Sequence, residues 1–485
     1  MIADNDLLSM QYARILAENA KEAQKKLALF PQEKLDHIVE SIACEMEKHA
    51  AELAGMSCEE TGYGTAQSKE EKNLFVCRNV KEALRGMRCV GPLHEDRQGS
   101  IQDVGIALGV IAAVCPSTSP VSTALCKALM AVKSGNAIVF SLHPRALRTM
   151  SRTLDLVIAA ATKAGLPEHC ISYLSLPTRK GTAELMQHPA VSLILLTGVV
   201  DLLDIATASG KPLICCGTGN GPAFIERTAD IRQAVADIIL SKTFDYGIAP
   251  SAEQCVVVDA PVAEEVRRAF MDQGAYFMTE QEVRMLAERL FYHDGRHRPD
   301  MVGIDAPTLA RRAGFEVPAG TKVLVAERRY VSDTDAYNRE LLAPILPWYV
   351  EDDWRLACEK CIELLLFDRE GHTLTIHSRD AEVIRQFILK KPVARVLVNT
   401  PAALGGMGMT TELFPSMMLG SGLSGRGLTT DNVSPMNLIY VRRVGYPVRK
   451  KVAQAGSAQM PDLDVLRDAL GKAIRECLAS GNKQH

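Results

Sequence analysis

The sequence predicts an α/β protein of two sheet-bearing domains preceded by a helical segment, and three observations carry that prediction. From residue 109 onward, short apolar runs of strand length alternate with helical stretches. Ahead of them, from Leu7 to about Leu84, apolar residues recur at helical spacing, with Pro31 breaking the run. The composition is that of an ordinary globular chain, 485 residues with 47% hydrophobic and 23% charged. At roughly 150 residues per domain, two or three domains are expected.

In chain order, the first strands are predicted at 109–114, 137–140, 171–174 and 193–196, with helices at 122–132 and 147–164 between them. Strands separated by helices imply right-handed crossovers and a parallel sheet covered on both faces. This is a doubly wound, Rossmann-like domain, assigned to residues 1–240. A second α/β domain, 241–431, holds predicted strands at 255–258, 321–326 and 396–398 and helices at 262–271, 280–291 and 381–389. A strand at 436–444 lies in a short arm, 432–448. A charged, small-residue linker follows at 449–461, and then a helix at 462–480 with Leu463, Leu466, Leu470, Ala473 or Ile474, and Cys477 on one stripe.

Charge and composition exclude several function classes. The 55 basic and 58 acidic residues leave a net charge of −3, so no long-range field favours nucleic acid or an anionic membrane. The longest apolar stretch, 104–115, is bounded by Asp103 and Pro116 and is short of the about 20 residues that span a bilayer. The start shows no basic region followed by an apolar one, so a cytoplasmic protein is expected. Thirteen cysteines, an odd number in mostly apolar contexts, read as reduced thiols. The one Cys-x-x-Cys, Cys358 and Cys361, falls in a helix-like stretch with no second pair nearby, and no metal site is expected.

Gly109-Val-Ile-Ala-Ala-Val-Cys-Pro-Ser-Thr-Ser-Pro and Lys133-Ser-Gly-Asn-Ala-Ile-Val-Phe-Ser-Leu-His-Pro-Arg-Ala begin a series of ordered motifs. It continues through Leu196-Thr-Gly, Gly217-Thr-Gly-Asn-Gly-Pro-Ala, Ser241-Lys-Thr-Phe-Asp-Tyr-Gly, Glu340-Leu-Leu-Ala-Pro, Asn399-Thr-Pro-Ala and Asp431-Asn-Val-Ser-Pro. With these motifs the chain resembles the CoA-acylating aldehyde dehydrogenases, including the aldehyde half of aldehyde-alcohol dehydrogenases and the enzymes of bacterial microcompartments. The resemblance implies an aldehyde dehydrogenase-like fold, with a cofactor domain, a thiol domain and an oligomerisation arm. It implies oxidation of an aldehyde by NAD through a cysteine thiohemiacetal, then acyl transfer to CoA. That chemistry needs a thiolate, oxyanion donors, a placed nicotinamide and CoA as acceptor. Cys216-Gly-Thr-Gly-Asn replaces the run that holds a water-activating glutamate in hydrolytic relatives, which fits the acylating branch.

Against the family pattern, Pro250 stands where the nucleophilic cysteine belongs, without a thiol and without a backbone N–H. Ser251 and Cys255 are neighbouring substitutes, and Cys216 is the best-placed surviving thiol. Ser119 replaces an oxyanion asparagine in Pro116-Ser-Thr-Ser-Pro120, where the plain alternative is a residue that shapes a turn. The resemblance carries cofactor contacts onto Thr197, Gly198, His143, Arg145 and Glu340, while Val199 and Asp201 oppose them. Asp201 is expected to cap the following helix and fill the anion site of a pyrophosphate, so NAD and CoA binding are both expected to be weak or lost. His372 is a candidate lining residue.

These departures touch three separate parts of the chemistry. They imply a catalytically impaired paralogue, a homo-oligomer or a hetero-oligomer with an active paralogue. An active enzyme with a non-standard nucleophile and a CoA or nucleotide-binding module are the alternatives. The tail resembles the linker-plus-helix extensions that direct acylating enzymes to a microcompartment shell, which places the expected location in a microcompartment lumen.

Overall fold

A computed structural model describes residues 4–96, 100–217, 219–367, 372–422, 425–448 and 462–481. Four helices, Asn5–Leu27, Gln32–Lys48, Ala50–Thr61 and Ala66–Phe75, lead the chain. Pro31 is the N-cap of the second, where its fixed φ of −70° suits a helix start. The first helix buries Ala13, Ala17 and Ala20, so its small face lies close against the sheet residues Ala112, Ala137 and Val139 in one apolar cluster.

The strands are β1 Gly91–Glu95, β2 Ile101–Ala107, β3 Val110–Val114, β4 Ala137–Ser141, β5 Ile171–Leu174, β6 Val191–Thr197 and β7 Leu213–Cys216. They continue as β8 Pro222–Ile225, β9 Cys255–Asp259, β10 Ala275–Phe277, β11 Val323–Glu327, β12 Ile345–Glu351, β13 Thr373–His377, β14 Arg395–Val398 and β15 Ile439–Gly445. β3 to β7 form a five-stranded sheet in the order β5-β4-β3-β6-β7, parallel throughout. β3 and β4 are buried at every position and read as continuous apolar runs, as strands covered on both faces do. A second, seven-stranded sheet runs β10-β11-β12-β9-β8-β13-β14, and it too is parallel. β1, β2 and β15 make a three-stranded sheet in the order β1-β2-β15.

The α/β architecture and the predicted strands hold. The 436–444 run begins as a 3-10 turn, Pro435–Leu438, and becomes strand only at Ile439. Strands β1, β2, β7, β8, β10, β12 and β13 are not among the predicted ones. β8 opens on Pro222 after three glycines, and β12 contains Pro347, which normally marks an edge, yet β12 is internal, between β11 and β9.

The chain divides into two compact units, one of residues 1–93 and 104–442 and a smaller one of residues 94–103 and 443–485. Within the smaller unit, Arg443 pairs with Asp103 at 2.9 Å and Tyr446 N–H donates to Ser100 O at 2.8 Å. Its helix, Leu463–Gly481, exposes Leu463, Leu466, Leu470 and Ile474. The linker predicted at 449–461 lies outside the described residues. No helix among them is long and apolar enough to cross a membrane.

Candidate functional site

Five residues, 217–221, carry the chain from the C-terminal end of β7 to the N-terminal start of β8. Because both sheets are parallel, this short link sets the C-terminal edge of the first against the N-terminal edge of the second. The loops after β3 and β6 meet where Gly198 packs on Pro116, and the loops before β8, β9 and β12 meet where Gly219 reaches Pro250 and Glu340.

Pro250 lies in a tight turn closed by Ala252 N–H donating to Ala249 O at 2.9 Å. It takes the second position of that turn, where its fixed φ is favoured. A Cβ added to Gly219 would lie 1.7 Å from the Pro250 carbonyl oxygen, so only glycine allows this approach. Gly219 N–H in turn donates to Glu340 Oε1 at 2.9 Å. The structure thus brings together Pro250, Gly219 and Glu340. The Glu340 carboxylate expected to hold a ribose is engaged by the protein's own backbone.

Neither neighbouring substitute is an activated nucleophile. Ser251 is buried and its hydroxyl donates to Ala403 O at 3.3 Å. Cys255 opens β9, and burial pushes its thiol well up. Glu253, also buried, accepts from Ala402 N–H at 2.9 Å, and burial raises its carboxyl to about 7.

Ser119 precedes the helix Pro120–Lys133 without capping it. Its Oγ instead accepts from Lys72 Nζ at 2.6 Å. Lys72 and Lys69 both reach Asp245 Oδ2, at 2.5 and 3.1 Å, and Lys69 also donates to Thr118 O at 2.8 Å. Sequence reading missed this buried cluster, because lysines three apart on a charged helix normally mark a solvated face.

The cofactor positions divide. Thr197 O–H contacts Cys216 Sγ at 3.7 Å, and Gly198, at φ 69°, packs on Pro116 so that a Cβ would lie 2.7 Å from it. Val199 packs against the apolar cluster of Leu196, Leu202 and Leu203. Asp201 does not cap the helix. The helix is Leu203–Ala208, its cap is Leu202 with no side-chain bond, and Asp201 is exposed in the preceding 3-10 turn. Cys216 is buried, and burial raises its thiol. The crevice of Leu196, Gly198, Val199, Leu203, Cys215, Cys216 and Gly217 measures about 10 Å³. That is room for one water, where a ligand cleft spans roughly 300–1,000 Å³.

His143 Nδ1 accepts from Arg145 N–H at 3.1 Å, and burial lowers its pKa to about 4. Arg145 lies 5.7 Å from the Tyr63 ring and lines a cleft of about 410 Å³ with Tyr292, Asp300 and Arg312. That cleft shares no lining residue with the Cys216 crevice, so the structure does not gather Arg145 with Thr197 and Gly198. His372 lines neither the Arg145 cleft nor the Cys216 crevice. It is buried, with Nδ1 2.7 Å from Thr373 Oγ1 and beside Arg395.

The model of the aldehyde dehydrogenase family matches residues 2–282. An aldehyde-alcohol dehydrogenase of Streptococcus pneumoniae is 35% identical over 403 residues, covering 81% of this chain and 46% of the relative. The chain thus spans about half the length of the bifunctional relatives it matches. A probable aldehyde dehydrogenase from Listeria monocytogenes is 44% identical with a TM-score of 0.90, over 93% of this chain and 99% of that one. A propionaldehyde dehydrogenase from the Clostridium phytofermentans fucose utilisation bacterial microcompartment is 27% identical with a TM-score of 0.81, over 90% and 97%. Other relatives are acetylating aldehyde dehydrogenases.

Proposed function

The chain belongs to the aldehyde dehydrogenase family, and on that premise we propose that it is a catalytically impaired paralogue of the CoA-acylating enzymes, acting as an assembly or binding subunit in a microcompartment. One observation carries the reading. The nucleophile position is a proline locked into a turn, with its carbonyl packed on Gly219. The acylating reaction, aldehyde with CoA and NAD to acyl-CoA, begins with a thiolate attacking the carbonyl, and a proline has neither the sulfur nor the N–H to stabilise the oxyanion. Loss of one oxyanion donor costs about 3 to 4 kcal/mol of transition-state stabilisation, and the second donor position holds Ser119, committed to Lys72. Cys216 and Cys255 are buried thiols with raised pKa, poor nucleophiles at neutral pH.

NAD binds weakly in this reading, because the Cys216 crevice is small and Glu340 holds Gly219. The exposed apolar stripe of the terminal helix is the part that engages a microcompartment shell. The test is an assay of purified protein with acetaldehyde or propionaldehyde, CoA and NAD, in which no NADH forms above the blank. Robust turnover abolished by Cys216→Ala or Cys255→Ala would overturn the reading and name the nucleophile.

A further inference from the structure

The buried cluster behind Ser119 does not balance in charge. Lys69, Lys72 and Asp245 are 3%, 2% and 0% exposed, so two ammonium groups share one carboxylate away from water. Asp245 engages both carboxylate oxygens within this set. Thr65 N–H donates to its Oδ1 at 2.9 Å and both lysines occupy Oδ2, while Gly64 packs so tightly on it that a Cβ there would lie 1.7 Å from Oδ1. Each ammonium carries three N–H donors, and each spends two: Lys69 on Thr118 O and Asp245, Lys72 on Ser119 Oγ and Asp245. One donor on each remains.

Beside them lies a cavity of about 10 Å³, lined by Ser57, Lys69, Lys72, Asn73 and residues 119–122. Ser57, 1% exposed, contributes a hydroxyl with no hydrogen-bond partner among the described residues. A buried donor without an acceptor costs about 1–3 kcal/mol, and an uncompensated buried charge more. Spare donors and one excess positive charge meet in a space that admits a single small particle.

We propose that this cavity is a binding site for one monovalent anion of halide size, held by Lys69, Lys72 and Ser57. The anion completes a neutral set of two ammoniums, one carboxylate and one halide. It joins the helix Ala66–Phe75 to the Ser119 turn and to the Asp245–Tyr246 segment, whose positive φ values of 49° and 54° need such anchoring. A water could satisfy the donors but not the charge.

The experiment compares thermal unfolding in sodium chloride and sodium bromide with unfolding in sodium gluconate at equal ionic strength, gluconate being too large for the cavity. A halide bound only by the folded state raises Tm, and above its Kd each tenfold increase in halide raises the folding equilibrium constant about tenfold. Lys69→Met leaves one lysine facing Asp245, a balanced pair, and its Tm becomes insensitive to the anion. Crystals grown in bromide show an anomalous peak within hydrogen-bond distance of Lys72 Nζ. Equal Tm in chloride and gluconate, or a water refined in the cavity without anomalous signal, overturns the proposal. The crystal measurement keeps the test decisive even where Lys69→Met fails to fold.

Discussion

At position 250, proline removes the sulfur of the expected nucleophile and its backbone donor, and it also fits its local geometry. A fixed φ restricts the unfolded chain, so Pro250→Cys is expected to lose about 0.4–1 kcal/mol of stability, read as a lower urea midpoint. The new thiol alone gives no CoA-dependent NADH formation, because Ser119 still accepts from Lys72 and Val199 stays in the apolar cluster. Adding Ser119→Asn, Val199→Gly and Asp201→Gly restores a measurable rate. Activity in Pro250→Cys alone would show that those three departures are harmless. The assignment of position 250 rests on the sequence, where no gap is needed to align it. The engagement of Glu340 was not legible there, because its partner, Gly219 N–H, lies 121 residues away.

Among the elements, β13 is bracketed by two buried histidines. His372, just before it, is held down to about 3 by burial and by the Arg395 guanidinium, and His377, its last residue, to about 4 by burial. Each has an Nε2 without a partner among the described residues. The unfolded chain binds these protons from about pH 6.5 downward and the folded chain does not. Stability from this source is therefore complete above pH 6.5 and falls as pH drops toward 4, by about 3 kcal/mol for His377. Glu253 acts with the opposite sign: its raised pKa of about 7 means that protonation between pH 7 and about 4.5 favours the folded state. A urea titration across pH 4–7 isolates the histidine part, because His377→Gln is expected to flatten the acid-side fall. An unchanged slope in that variant would show that His377 is protonated in the native protein. β13 is not among the predicted strands although Thr373–His377 alternates polar and apolar residues as a strand does, and all five are buried.

For the whole molecule, β15 lies at one edge of its three-stranded sheet and exposes Tyr440 and Val441. An unpaired edge of this kind is a template for another strand, so the chain is expected to form a dimer or larger assembly, homomeric or with an active paralogue. Light scattering checks this, and a monodisperse monomer would count against it. A chain ending at residue 448 keeps the same assembly, while residues 449–485 fused to a fluorescent protein direct it to a shell in cells that make one. Diffuse fluorescence, unchanged by Leu466→Asp or Leu470→Asp, would leave the tail without that role.

The sequence by itself determined the alternation of strands and helices, the parallel sheet of the first domain and the proline at position 250. Each of these is local: strand and helix periods are written in neighbouring residues, and a missing thiol is a property of one side chain. Only the tertiary structure decided that Asp201 points outward, that Arg145 turns to Tyr63, that Gly219 supports Pro250 and that Lys69 and Lys72 share Asp245. Those facts depend on pairings between segments far apart in the chain, such as the 176 residues between Lys69 and Asp245. No periodicity encodes such pairs, because burial of a charge becomes favourable only once a distant partner has been folded against it.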